Sequence, residues 1–193
     1  MIMKKIIYVS FIAFTVAILS SFDLPADWFK AGSDPASYDM GIDKGAGQDG
    51  KNAATIKSKD KKINGFGTLM QICSADQYAG KRVRMSGAMK SKDVGEWAGL
   101  WFRVDQLNSS EPLAFDNMQD RAIKGNTEWK TYEIVLDVPA RASQLAFGAL
   151  ISGTGQVWFT NLRFEVVDAS VPTTDLEKKD KQLKEPSNLN FEK

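Results

Sequence analysis

The 193-residue chain contains no histidine. That removes the Ser-His-Asp arrangement, imidazole acid–base chemistry and the commonest metal ligand. It contains one cysteine, Cys73, so an internal disulfide and a cysteine-rich zinc site are excluded. Excess charge of one sign is also missing: 25 Lys and Arg stand against 24 Asp and Glu. A formal charge of +1 argues against nucleic acid as a partner held by electrostatics. Between residues 22 and 168 there is no long amphipathic helical pattern. What is present is 43% hydrophobic residues, with 11 Phe, 5 Trp and 4 Tyr. That is enough for the core of one domain and rules out a fully disordered chain.

Lys4 and Lys5 precede an uncharged apolar run from Ile6 to Leu19, followed by Ser20 and Ser21. A basic head, a short apolar stretch and small residues are the layout of a secretory signal peptide. The run is shorter than the roughly 20 residues a spanning helix needs. Export with removal of residues 1–21 is therefore expected, to the periplasm or the outside. The alternative is a membrane anchor formed by residues 6–22, which would be the chain's one route to a membrane. No cysteine lies near the cleavage region, so a lipid anchor there is excluded. Loss of Lys4 and Lys5 leaves the mature chain nearly neutral. A lone thiol in an exported protein is expected to be buried, so Cys73 is assigned to a strand interior between Ile72 and Ser74.

Short alternating runs separated by turn residues define strands at 38–42, 53–58, 66–74, 82–90, 97–105, 113–118, 129–138, 144–151 and 156–167. Gly45–Gly50, rich in glycine, reads as a hairpin loop rather than a phosphate cradle, because the dinucleotide spacing and a following helix are absent. Nine short strands with turn signals between them predict an all-β, two-sheet antiparallel sandwich over residues 22–168. From residue 169 to 193 the composition turns polar and charged, which reads as a linker-like tail.

Strand parity sorts side chains into two faces. In 97–105 the apolar face is Ala98, Leu100, Phe102 and Val104. In 129–138 it is Tyr132, Ile134, Leu136 and Val138, and in the last strand Trp158, Leu162, Phe164 and Val166. Most of these are the expected core. The opposite faces carry Trp97, Trp101, Arg103 and Asp105, then Trp129 and Glu133, then Arg82 and Arg84. Exposed indoles beside charged hydrogen-bonding groups suit a sugar, whose ring face stacks and whose hydroxyl edge bonds. The same pattern also fits indoles packed under a loop with cross-strand ion pairs.

Five stretches together carry a resemblance. They are Gly80-Lys81-Arg82-Val83-Arg84-Met85-Ser86-Gly87, then 97–105, then Phe115-Asp116-Asn117-Met118, then Trp129-Lys130-Thr131-Tyr132-Glu133, then 153–162. Over about residues 28–168 the chain resembles carbohydrate-binding-module-like jelly rolls, the galactose-binding-domain-like sandwiches. Such modules look like accessory domains of bacterial hydrolases, peptidases and transcriptional regulators. The resemblance implies a jelly roll, in which strands of one sheet present their faces side by side, and strand parity puts the candidate residues on one concave groove if 97–105 and 129–138 are neighbours. There Trp101 or Trp129 would stack on a sugar, Arg103, Asp105 and Glu133 would take its hydroxyls, and Arg84 would stand at the rim, with Trp97 nearby. It also implies a structural calcium served by Asp in a Trp-Phe-Asp-Asn pattern. This chain has Thr160 there, a poorer hard-cation ligand, so no cofactor is expected. Asn188–Glu192 resembles the opening strand of another such module.

Three functions remain open at this stage. The first is a non-catalytic module for a carbohydrate or similar polar small molecule. The second is a structural or protein-interaction module of the cell envelope. The third is a small enzyme using carboxylates such as Asp105, Asp116 or Glu133. No raised-pKa acid opposite a nucleophile is visible in the sequence, and hydrogen bonding in a loop accounts equally for Asp116 and Asp120.

Overall fold

The computed structural model describes residues 22–175. The expected leader at 1–21 and the stretch 188–192, whose sequence resembles a module's opening strand, lie outside them. Among the described residues nine strands form, joined by turns and three short 3-10 segments. They are β1 (Phe29–Gly32), β2 (Tyr38–Asp43), β3 (Ala53–Ser58), β4 (Phe66–Ser74), β5 (Lys81–Asp105), β6 (Ala114–Asp116), β7 (Ile123–Val138), β8 (Gln144–Ser152) and β9 (Gln156–Val167). Every pairing is antiparallel. The fold is an all-β jelly roll, as the alternation predicts.

The sequence reading ends one strand at residue 90 and starts another at 97. The structure keeps both in one 25-residue strand. Register shifts between Met89 and Ala98 bend it, and Asp93 takes φ 52° at the corner. Bulges of this kind turn a strand without ending its pairing. Residues 81–92 pair with β7 and β9. Residues 97–105 pair with β8 and, at the end, with β6. The back layer thus runs β2, β3, β9, β5, β7, and the front layer β1, β4, β8, β5, β6. The front edge strand β1 was not foreseen. Its four residues, Phe-Lys-Ala-Gly, are too few to show alternation.

Between the layers lies one apolar core. It includes Leu69, Met85, Met89, Leu100, Phe102, Ile134, Leu136 and Phe159. Ala98 and Val104 join it as parity predicts, and Tyr132, Leu162 and Phe164 pack against it partly buried. Trp158 does not face it. β9 carries one extra residue opposite β5, between Thr160 and Arg163, and Asn161 sits there at φ 56°. That bulge reverses parity, so Val157 and Phe159 point inward on one side of it and Leu162 and Phe164 on the other. The Trp158 indole instead crosses the outer face and donates to Asp43 on β2 at 2.7 Å.

Two further expectations are corrected. Cys73 is exposed, not buried. β1 accompanies β4 only as far as Met70, so residues 71–74 are flanked by β8 alone at the end of the layer. Residues 169–175, assigned to the tail, are held to the back layer. Arg82 donates to the carbonyls of Ala169 and Val171. Thr174 N–H donates to the Val135 carbonyl at 2.8 Å, and its hydroxyl accepts from Val135 N–H at 2.9 Å. β7 is an edge strand with unpaired backbone groups, and a polar segment can satisfy them without burying apolar surface.

The back layer is fastened to the turn before β9 by Tyr38, which is 2% exposed. Its hydroxyl donates to the carbonyls of Gly153 at 2.8 Å and Gly65 at 3.2 Å. Burial, reinforced by the charges of Asp34 and Glu96, pushes its pKa up to about 12. The folded state therefore holds this proton more tightly than the unfolded chain. Its contribution is complete below pH 10 and declines as pH rises towards 12. Tyr38→Phe should lower stability below pH 10 by about 1–2 kcal/mol. It should also flatten the wild-type decline above pH 10, a difference that paired thermal melts across that range would measure.

Candidate functional site

The outer face of the front layer carries a second, smaller apolar cluster. Trp101, Ala146 and Leu150 are buried in it, and Met70, Trp97 and Phe115 pack around them. Trp101 lies on β5 and Thr68 on β4, with β8 between. The indole nonetheless donates to the Thr68 hydroxyl at 2.8 Å, so it spans β8. Thr68 passes the interaction on by donating to the Ala149 carbonyl at 2.7 Å. Gly148 is the β8 residue paired with both Trp101 and Met70. A Cβ there would stand 2.3 Å from the Leu69 carbonyl oxygen, so glycine lets β4 and β8 close up beneath the indole.

Over this floor is a groove of about 570 Å³. Trp97, Trp101 and Arg103 of β5 line it, with Phe66, Thr68 and Met70 of β4 opposite. Ala31 and Gly32 of β1 and Phe115 and Asn117 at β6 close its sides. Leu150 and Ser152 of β8 complete it. Apolar walls with a few convergent polar groups are the usual make-up of a small-molecule site.

The β6 wall is built from a buried ion pair. Asp116 is fully buried and accepts from Arg121 at 2.7 Å and from Met118 N–H at 2.7 Å. Arg121 also bonds Asp120 at 2.8 Å and the Glu133 carbonyl at 3.0 Å. These bonds hold Met118 at φ 62° with its side chain in the core. Gly99 leaves room for the turn, since a Cβ there would lie 3.0 Å from Met118 Cβ and 3.1 Å from the Asn117 carbonyl oxygen.

Of the residues singled out in the sequence, Trp97, Trp101 and Arg103 come together in the groove. Asp105 stands behind Arg103 and accepts from its Nε at 2.9 Å. Trp129, Glu133 and Arg84 do not join them. Their strand segment pairs with residues 81–89 of β5, in the back layer, and not with 97–105. There Arg84 pairs with Glu133 at 3.2 Å and Glu165 at 3.3 Å, while Arg82 pairs with Asp137 at 2.7 Å. This is a cross-strand charge ladder on a solvated face. The side chains sequence reasoning missed are Phe66, Thr68, Met70, Phe115 and Asn117. In 66–70 both parities are apolar or small, so alternation gives no signal for the wetter face.

Each carboxylate considered for catalysis is engaged by an arginine: Asp105 by Arg103, Asp116 by Arg121, Glu133 by Arg84. Among the described residues no group of three or more Cys, Asp or Glu side chains is arranged to hold a metal ion. Thr160 offers no carboxylate, and the amide of the adjacent Asn161 donates to Gln48 at 3.3 Å. The position does not fit the calcium that the resemblance implies.

No family model matches the chain. Solved structures share its fold. The CBM22-1 xylan-binding domain of Paenibacillus barcinonensis Xyn10C aligns with TM-score 0.52 and 13% identity, covering 78% of this chain and 92% of that domain. A family 16 carbohydrate-binding module-2 aligns with TM-score 0.51 and 10% identity, covering 69% and 92%. The fold is thus that of carbohydrate-binding-module jelly rolls. In sequence, the chain is 46% identical over 166 residues to an uncharacterized HTH-type transcriptional regulator, YbfP, of Bacillus subtilis (strain 168). The match covers 86% of this chain and 56% of that protein, so the chain spans about half the length of that relative.

Because the Asp116 carboxylate is wholly buried, removing its partner leaves an uncompensated charge. Arg121→Ala should lower stability by about 3–5 kcal/mol. Urea unfolding would measure it, and a variant within 1 kcal/mol of wild type would contradict the assigned role of this pair.

Proposed function

We propose that this chain is a non-catalytic binding module for a carbohydrate, held in the front-layer groove. The observation that carries the reading is the pair of indoles, Trp97 and Trp101, four residues apart on the same face of β5 and opening on one groove. Trp97 is only partly buried and supplies a stacking surface. Trp101, 8% exposed, forms the floor. Arg103, Asn117 and Ser152 supply polar edges for hydroxyls. Sugars bind such surfaces by stacking on an aromatic face while hydroxyls meet fixed polar groups. Solved neighbours of this fold include carbohydrate-binding modules, and one of them is a xylan-binding domain.

The identity with a regulator favours a second setting for the same site, as the ligand-sensing part of a larger regulatory protein. The groove chemistry is the same in either setting. The leader-like segment at residues 4–21 supports an exported protein, and residues 6–22 would serve as an anchor if it were retained. N-terminal sequencing of native protein separates these: a start near residue 22 in an extracytoplasmic fraction supports export, and an intact Met1 in the cytosol excludes it.

Trp97, rather than Trp101, is the residue to vary. Trp101→Ala would remove a buried ring and the donor to Thr68, confounding binding with folding. Trp97→Ala should abolish binding to an oligosaccharide panel, read by calorimetry, while the melting temperature shifts little. Wild-type affinity for a single sugar unit should be near the millimolar range, about 4 kcal/mol. Unaltered sugar binding in Trp97→Ala would move the site elsewhere, and no binding by wild type would exclude the carbohydrate reading.

A further inference from the structure

Arg103 is the one charged residue among those that line the groove. Its counter-ion is withdrawn from the groove: the Asp105 side chain is 12% exposed against 47% for Arg103. Asp105 takes only Nε, at 2.9 Å. Among the described residues nothing bonds the two terminal nitrogens, so one edge of the guanidinium is left with its paired donors. Carboxylates also touch other lining residues, but from outside. Glu96 accepts from the Ser152 hydroxyl at 2.5 Å, and Asp175 from Phe115 N–H at 3.4 Å. Neither lines the groove. The groove therefore shows a ligand a cation held at its Nε and set among apolar walls. A planar fork of this kind matches an oxyanion better than it matches a lone hydroxyl.

We propose that the groove prefers an anionic sugar, one that places a carboxylate or sulfate oxyanion on the free edge of Arg103 while its ring lies against Trp97. This rests on the carbohydrate reading above and narrows it. Asp105 acts as a positioning residue, holding the guanidinium by Nε so that both terminal nitrogens face the ligand.

The test uses three probes: neutral β-1,4-xylan, the same backbone with glucuronate branches, and the same backbone sulfated. At low ionic strength wild type should bind at least one charged polymer about five- to tenfold more tightly than the neutral one. Salt at about 0.5 M should erase most of that gap by screening. Arg103→Gln should bind neutral and charged polymers alike, so that the charged-over-neutral ratio falls to about one whatever it does to the affinity for neutral xylan. The arm that gains affinity identifies the oxyanion. Equal affinity for neutral and charged polymers at low salt overturns the proposal and leaves the carbohydrate reading in place. A preference that survives both salt and Arg103→Gln also overturns it. Binding to none of the three polymers overturns the proposal, and the oligosaccharide panel above then decides separately whether the carbohydrate reading stands. The salt series needs no variant, so it decides even if Arg103→Gln folds poorly.

Discussion

Residues 81–105 run through both layers of the sandwich as one strand, and the bend near Asp93 decides what each half can face. Before the bend, Val83, Met85 and Met89 point into the core, and Arg82 and Arg84 point out of the back layer. After it, Ala98, Leu100, Phe102 and Val104 fill the same core from the other side. Their alternates, Trp97, Trp101 and Arg103, then stand on the front layer's outer face. By strict alternation Arg82 and Arg84 would fall on the same side as Ala98 and Leu100, so the register shifts at the bend are what keep both apolar sets on the core and both polar sets outside. The bend separates a charged face from an aromatic one.

The aromatic face is an unusual thing for a small domain to keep. Leaving apolar surface in water costs about 25 cal/mol per Å², and a contiguous patch invites association. Here part of that cost is avoided by laying the Trp101 indole flat across β8 and giving its N–H a buried partner in Thr68. Small residues beneath it, Ala146 and Gly148, make that posture possible. What stays open is the Trp97 side and the rim carrying Phe66 and Phe115. A surface that pays for partial exposure while its floor is fully satisfied is better matched to a ligand than to plain solvation.

Much of this was legible in the sequence because period-2 alternation holds within each straight segment. It assigned the core side chains of 97–105 and 129–138 correctly, apart from the partial exposure of Tyr132. It failed where a strand gains a residue: the bulge at Asn161 turned Trp158 outward, and nothing in Phe159-Thr160-Asn161-Leu162 announces it. It also could not say which strands are neighbours. Trp129 and Glu133 have the same local pattern as Trp101 and Asp105, yet they lie in the other layer, because pairing is a long-range choice set by the β5 bend. The groove's β4 wall was hidden for a different reason. Strand 66–70 is apolar or small on both faces, one toward the core and one toward the groove.

The same distinction explains why charges do unlike work on the two faces. On the back layer Arg84 lies between two carboxylates, Glu133 and Glu165, and Arg82 is divided between Asp137 and the carbonyls of 169 and 171. Those cations are used up inside the protein, holding the edge strand and the segment that follows β9. Exposed pairs of this sort add little stability singly, but here they bind a polar segment over an otherwise open edge. On the front layer Arg103 meets a single carboxylate through a single nitrogen. The difference lies in cross-strand neighbours. Arg84 is paired in register with β9 at Glu165, whereas Arg103 is paired with Ala146 and Phe115, which have no charge to offer. A cation whose sheet neighbours are apolar keeps its hydrogen-bonding capacity for something outside the chain.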